Sequence, residues 1–322
     1  MRLRRLYTIE RRSARSTMLT NIAAPDFDLE KTLDSGQVFH WQKIGNAFWG
    51  AIAELPLCVE QQTDTLKIRA AGRKLDGLKP SSSKRDGNVE ARRDLERLVA
   101  NYFALDHPLA KICRAFPSDP AMTAARDFCA GLRIIRQPLW ECLATFIASS
   151  MKQVAHIRQI SHTLRTRYGE GLQLFDRKVH AFPSPARIAQ LTEQDLRKCA
   201  LGYRAKNLLA TARLVASGEA NLQQWSSLSD ESLRARLCEL PGVGAKVANC
   251  VMLFAYERLR AFPIDVWIER VLKQKYFPGR RKVTAQQLRA FCETYFGEHG
   301  GYAQQYLFHH ARKGGAAKAK RK

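Results

Sequence analysis

The segment LPGVGAKVANC, residues 240–250, concentrates more chemistry than any other stretch of the chain. Leu233, Leu237 and Leu240 repeat at helical spacing before it, and Val247, Val251 and Phe254 repeat after it. Pro241 to Gly244 must therefore turn the chain between two helices. Gly242 and Gly244 permit positive φ and a close approach of another chain around Val243, and the second helix opens with unpaired N–H groups beside Lys246. A helix–hairpin–helix that grips one DNA phosphate through Gly242, Val243 and Gly244 follows physically. The competing reading is an ordinary interhelical turn, with Lys246 simply pairing a phosphate. Asp265 follows Pro263 at the expected start of another helix, where an aspartate usually serves as an N-cap. Gln304 and Phe308 are four apart and share a helix face, as do Lys246 and Cys250. An amide can read a base edge while a ring stacks on its face, although a core Phe and a buried Cys are the plainer alternatives.

Charge narrows the partner. The 322 residues carry 53 Lys and Arg against 30 Asp and Glu, a net +23. Residues 1–17 hold +5 and residues 312–322 hold +6, which leaves +12 on the body between them. That basic body suits a phosphate backbone, which attracts without reading sequence. The eight cysteines lie far apart with no C-x-x-C pair, a spacing that fits neither zinc nor an iron–sulfur cluster. Reduced thiols inside a cell are the simplest account. No run approaches about 18 apolar residues and no signal peptide is visible, so neither a membrane span nor export is expected.

Two kinds of element must position these residues. Residues 27–70 read as strands: Val38, His40 and Gln42 alternate with Phe39 and Trp41, and Phe48–Ile52 and Leu66–Arg69 continue the pattern. Turn residues separate them at Ser35-Gly36, Gly45-Asn46 and Thr63-Asp64. Residues 71–88, rich in Gly, Ser and charge, read as an exposed loop. From about Val89 the period turns helical, with faces such as Leu139, Leu143, Phe146 and Ile147, then Ile157, Ile160 and Leu164, and later Leu288, Phe291 and Tyr295. The expected fold is α+β. A disordered basic arm covers 1–25, an antiparallel sheet domain with flanking helices 26–135, a larger all-helical domain 136–312 with its hairpin at about 229–256, and a basic tail 313–322.

LPGVGAKVANC, with AFPIDVWIERVL after it, resembles the helix–hairpin–helix DNA glycosylases, in which a Gly/Pro-rich hairpin precedes an essential aspartate. The closer resemblance is to the 8-oxoguanine DNA glycosylase/lyase branch. It runs from about Phe27 to Arg312 and includes DSGQVFHW (34–41), YFALD (102–106), LGYRAK (201–206) and GYAQQYLF (301–308). The resemblance implies a TBP-like sheet domain. It also implies excision of 8-oxoguanine from double-stranded DNA, without metal or organic cofactor, by a monomer that works beside the DNA in a bacterial cytoplasm or a nucleus.

Lys246 then stands at the family's amine nucleophile. A lysine must shed its proton to attack, and the cationic start of a helix and partial burial both favour the neutral amine. Attack at C1′ expels the base and leaves a Schiff base that supports β-elimination. Asp265 becomes the carboxylate that stabilises positive charge on the sugar while capping its helix. Gly36, Cys250, Gln304 and Phe308 become the pocket, the Gly36 carbonyl accepting the N7–H that 8-oxoguanine has and guanine lacks. Tyr203 and Arg204 become the wedge that fills the gap left by the everted base, phosphate contact by Arg204 being the plainer role. Three places depart from the family. The segment that usually offers asparagines to the opposite cytosine reads Ser149-Ser150-Met151-Lys152-Gln153, an arginine is replaced by His156, and a histidine after the aspartate by Trp267. The resemblance thus carries the lesion pocket but not a preference for cytosine opposite it. A monofunctional alkyl-base glycosylase would lack the amine at 246, and a non-catalytic hairpin module would leave Gln304 and Phe308 without a role.

Overall fold

In the computed structural model the described residues are 17–71, 84–150 and 152–319. Residues 1–16 of the expected arm, 72–83 of the expected loop, Met151 and the last three residues lie outside them. The N-terminal half is built on strands β1 (Thr17–Ala23), β2 (Gln42–Ile44), β3 (Ala47–Ile52), β4 (Leu55–Gln62) and β5 (Thr65–Ala71), antiparallel throughout and in the order β1-β5-β4-β3-β2. Helix α1 (Leu29–Asp34) interrupts the strands, and α2 (Lys84–Tyr102), α3 (Leu109–Arg114) and α4 (Pro120–Phe128) follow. Leu57, Val59, Leu66 and Ile68 point from the sheet into one core with Leu95 and Val99 of α2.

The sheet departs from expectation in three places. Thr17–Ala23 does not belong to an arm: as β1 it pairs with all of β5, burying Met18 and Thr20. Leu29–Asp34 is helical because Asp28 caps it, accepting from the Lys31 N–H at 2.8 Å. Val38–Trp41 joins no strand. Just before it the fully buried Gln37 anchors the chain, donating to the carbonyls of Thr32 and Arg133 and accepting from the Ile135 N–H at 2.9 Å.

The C-terminal half carries α5 (Leu139–Ser149), α6 (Val154–Tyr168), strands β6 (Gly171–Leu174) and β7 (Arg177–His180), and α7 (Pro185–Ala189), α8 (Glu193–Arg197) and α9 (Arg204–Ser217). It continues with α10 (Asp230–Cys238), α11 (Ala245–Phe254), α12 (Val266–Tyr276), α13 (Ala285–Tyr295) and α14 (Gly300–Ala319). The expected helical faces are largely buried, although Tyr295 at the end of the last one is exposed, with one correction to "all-helical". The short β6–β7 hairpin packs Leu174 on Trp49 and Cys58 of the first sheet, too brief an alternation to stand out in the sequence. The last helix runs on to Ala319, so the described part of the expected tail continues α14.

The two halves are tied together by buried polar groups. Glu141 of α5 bonds Arg165 of α6 and lies 3.1 Å from His40 Nδ1, while Arg165 donates to the His180 carbonyl at 3.0 Å. Helix α14 threads between the halves: the Tyr306 hydroxyl donates to the Leu132 carbonyl at 2.9 Å and the Gln305 amide to the Ser35 carbonyl at 3.0 Å. That second bond brings the α1–β2 connection, and Gly36 with it, onto the face of α14 that carries Gln304 and Phe308.

Candidate active site

Helices α10 and α11 enclose the expected hairpin. Gly242 has φ +83°, and a Cβ there would stand 2.8 Å from Asn207 Cβ and 3.2 Å from Ile147 Cγ2. The turn therefore needs glycine both for its torsion and for its seat on α9 and α5. Gly244 differs from expectation, with φ −101° in extended backbone. Its exposed Cα faces open space, and its side-chain-free N-cap leaves the start of α11 uncovered. Val243 also differs, because it is buried and its N–H donates to the Leu240 carbonyl at 3.1 Å. Val243 therefore offers no free donor, while the start of α11 beyond Gly244 carries no side-chain cap.

Lys246 leaves α11 in its first turn and is half-buried. Its Nζ lies 3.4 Å from Ser149 Oγ and 5.3 Å from the centre of the Phe146 ring. One turn on, Cys250 is buried, and burial pushes its thiol up to about 11 against the opposing charge of Lys246. Asp265 caps α12, accepting from the Ile268 N–H at 2.9 Å. Burial raises its carboxyl above the ordinary aspartate value, while that bond and the Lys246 charge restrain the rise.

These groups share a cleft of about 780 Å³. Lys246, Cys250 and Asp265 line it together with Gly36, Gln304 and Phe308, so all six expected catalytic and pocket residues meet in one place. Gln304 is 4% exposed, and its Oε1 bonds nothing among the described residues. Gly36 has φ +89°, and a Cβ there would stand 3.0 Å from Phe308 Cε1 and 2.8 Å from Arg312 Nη1. Glycine is thus required where the backbone meets the Phe308 ring.

The expected wedge is not presented as a pair. Tyr203 is 59% exposed, but Arg204 is 5% exposed and donates to the Ser150 carbonyl at 2.6 Å and the Leu201 carbonyl at 3.3 Å. Its guanidinium lies 4.3 Å from the centre of the Tyr203 ring, so Arg204 props Tyr203 rather than reaching outward. His156 is exposed on α6 and does not line the cleft, whereas Trp267, Lys152 and Gln153 do.

Sequence reasoning missed Phe39, Phe146, Arg158 and Arg312 as lining residues. Arg312 could have been found, because it continues the four-residue spacing of Gln304 and Phe308. The others owe their place to tertiary contacts. At the rim the Asp34 carboxylate pairs with Arg158 at 2.5 Å and Lys313 at 2.7 Å. Among the described residues no cluster of three or more His, Cys, Asp or Glu could hold a metal ion, and no helix is long and apolar enough to cross a membrane.

Comparison with known proteins gives consistent findings. Residues 20–143 match the family described as 8-oxoguanine DNA glycosylase, N-terminal domain, and residues 144–296 match HhH-GPD superfamily base excision DNA repair protein. A "Probable N-glycosylase/DNA lyase" of Methanothermobacter thermautotrophicus is 28% identical, over 91% of this chain and 96% of its own. The solved structure of MBOgg1 with a low affinity DNA ligand is 30% identical with a TM-score of 0.82, covering 92% of this chain and 96% of that one. The Clostridium acetobutylicum 8-oxoguanine glycosylase/lyase, solved with double-stranded DNA containing cytosine opposite 8-oxoG, is 27% identical with a TM-score of 0.80, covering 92% and 98%.

Proposed function

Because this chain belongs to the helix–hairpin–helix DNA glycosylases, in the 8-oxoguanine N-glycosylase/lyase branch, we propose that it excises 8-oxoguanine from duplex DNA and then cleaves the strand at the emptied sugar. One observation carries the reading: six residues from separate parts of the chain, an amine, a carboxyl, a thiol, an amide, a ring and a bare backbone turn, line one cleft.

The glycosidic bond is out of reach in the stack, so the nucleotide is everted into the cleft while Tyr203 fills its place. Phe308 and Cys250 flank the base. The unpartnered Oε1 of Gln304 accepts from the N–H groups of the Watson–Crick edge, and the Gly36 carbonyl accepts the N7–H of the oxidised base. Neutral Lys246 Nζ supplies the electron pair for a new bond to C1′ as the C1′–N9 bond breaks. The base leaves with the C1′–N9 bonding pair and takes up a proton at N9, and Asp265 balances the positive charge that develops on the sugar. The amine then loses one proton, and its lone pair forms the C1′=N bond as the C1′–O4′ bond breaks and O4′ takes up a proton, giving the protonated Schiff base. Removal of a C2′ proton then expels the 3′ phosphate. The start of α11 beyond Gly244 and the basic body hold the strand.

Three outcomes are expected. Asp265→Asn keeps an efficient cap, so its urea unfolding midpoint changes little, while single-turnover excision falls about 10²–10³-fold. In the parent protein, burial raises the Asp265 pKa, so excision is lost on acidification through a midpoint above 3.8. The loss runs in that direction because only the ionised form balances charge, and in the Asn variant this component of the acid limb should be absent. Gly36→Ala places a Cβ in left-handed backbone and against Phe308 and Arg312. Excision of 8-oxoguanine is expected to fall at least about tenfold, with scission of a preformed abasic site retained. Product analysis on duplexes carrying 8-oxoguanine or guanine opposite each of the four bases tests the function itself. Release of 8-oxoguanine alone, followed by a strand break, is expected; failure to release it, with release of the alkylated base from a parallel duplex carrying an alkylated purine, would overturn the reading.

A further inference from the structure

Beyond Phe308 on α14, the wall that meets Gly36 has another member. The Arg312 guanidinium lies 5.4 Å from the centre of the Phe308 ring, and its Nη2 donates to the Asp34 carbonyl. Nη1 stands 2.8 Å from the point a Cβ of Gly36 would occupy. Both Nη1 and Nε are shielded from solvent and bond nothing among the described residues. The nearest carboxylate does not serve them, since the Asp34 side chain is engaged by Arg158 and Lys313. Burial holds the Arg312 pKa below its ordinary value, as expected for a cation without its full set of acceptors. Buried donors on a charged group are costly to leave unpaired. Arg312 is among the residues that line the cleft in which a base is to sit.

We infer that Arg312 is a specificity-determining residue of this pocket, whose Nη1–H donates to a carbonyl oxygen flanking N7 of the everted 8-oxopurine. The inference rests on the function proposed above. With the Gly36 carbonyl accepting N7–H, the N7 edge of the base lies against Gly36, and Nη1 stands at that same backbone. The atoms beside N7 on that edge, O8 and O6, are both acceptors, and either meets the chemistry. Gly36 and Arg312 then present an acceptor next to a donor, the complement of N–H next to C=O. An unmodified guanine, whose N7 is itself an acceptor and which lacks O8, matches at most half of that pattern. The indirect route, in which Arg312 merely stiffens the wall by stacking on Phe308, would not depend on the donors.

The test uses Arg312→Met, which keeps a stem over Phe308 and removes the donors, beside Arg312→Lys, which restores charge and donors on a flexible stem. Single-turnover excision of 8-oxoguanine and scission of a preformed abasic site are measured for each in the full-length chain. Met is expected to slow excision about ten- to a hundredfold, Lys less, with abasic scission within about twofold of the parent. Binding of duplexes whose 2′-fluorinated sugar resists attack then assigns the atom. Equal weakening for 8-oxoguanine and 8-oxoadenine, which lacks O6, assigns O8; weakening confined to 8-oxoguanine assigns O6. Unchanged excision by the Met variant, or excision and abasic scission falling together, overturns the role. If the parent protein excises no 8-oxopurine, the functional reading fails and this inference with it; if it does and only the Arg312 pattern is missing, the inference alone fails.

Discussion

Lys246→Gln is expected to abolish base release and strand scission together, with single-turnover rates falling on the order of 10⁴-fold or more. Both steps use the same nitrogen, first as the nucleophile at C1′ and then as the Schiff base that acidifies C2′–H, so neither survives its loss. Glutamine is close to lysine in reach and cannot supply the electron pair. Stability should change little. The amine makes a long contact, 3.4 Å to Ser149 Oγ, an interaction with the Cys250 thiol, and a ring contact with Phe146, which is worth about 0.5–1 kcal/mol for a partly exposed cation. Affinity for an abasic-site duplex, measured by titration at fixed salt, should stay within about tenfold of the parent. A lysine that only paired a phosphate would behave differently: the variant would bind more weakly, show a shallower salt dependence, and still release base.

Glu141→Gln is expected to cost about 3–5 kcal/mol of folding free energy, read from urea unfolding at neutral pH. Arg165 is buried, and its guanidinium bonds Glu141, so a neutral amide leaves a buried cation without a counter-charge. Burial alone would raise the Glu141 carboxyl, but the Arg165 charge and the contact with His40 outweigh it and hold the pKa below the ordinary glutamate value. A depressed carboxylate pKa adds stability above the unfolded value of 4.5 and loses it as pH falls through the folded one. The parent protein should therefore lose this increment on acidification, and the Gln variant should not. The double variant Glu141→Leu with Arg165→Met removes both charges and should recover much of the loss. Equal stability of the parent and Glu141→Gln would remove this cluster as the tie between the halves.

The features most legible in the sequence are those set by local periodicity and capping. Leu233 and Leu237 fall on α10 with Leu240 just past its end, Val247 and Val251 fall on α11, and Pro263 before Asp265 marks the α12 cap. Gln304, Phe308, Lys246 and Cys250 follow from the four-residue spacing of a helix, and the family resemblance brings Gly36 to them. What was not legible depends on partners remote in the chain. The buried place of Glu141 depends on Arg165 and His40, both remote in the chain. Arg204 reads as an outward cation, but the Ser150 carbonyl captures it at 2.6 Å. Thr17–Ala23 sits next to six arginines and reads as part of an arm, and only β5 makes it a strand. Gly244 reads like Gly242, yet the turn needs positive φ at only one of them.

Borohydride reduction on a duplex with 8-oxoguanine opposite cytosine reaches the claim on which the rest depends, that the Lys246 amine bonds the sugar. The parent protein should form a covalent protein–DNA species, with peptide mapping placing the attachment at residue 246, and Lys246→Gln should form none. Base release by the parent without any trapped species, or an adduct of equal yield in the variant, would contradict it.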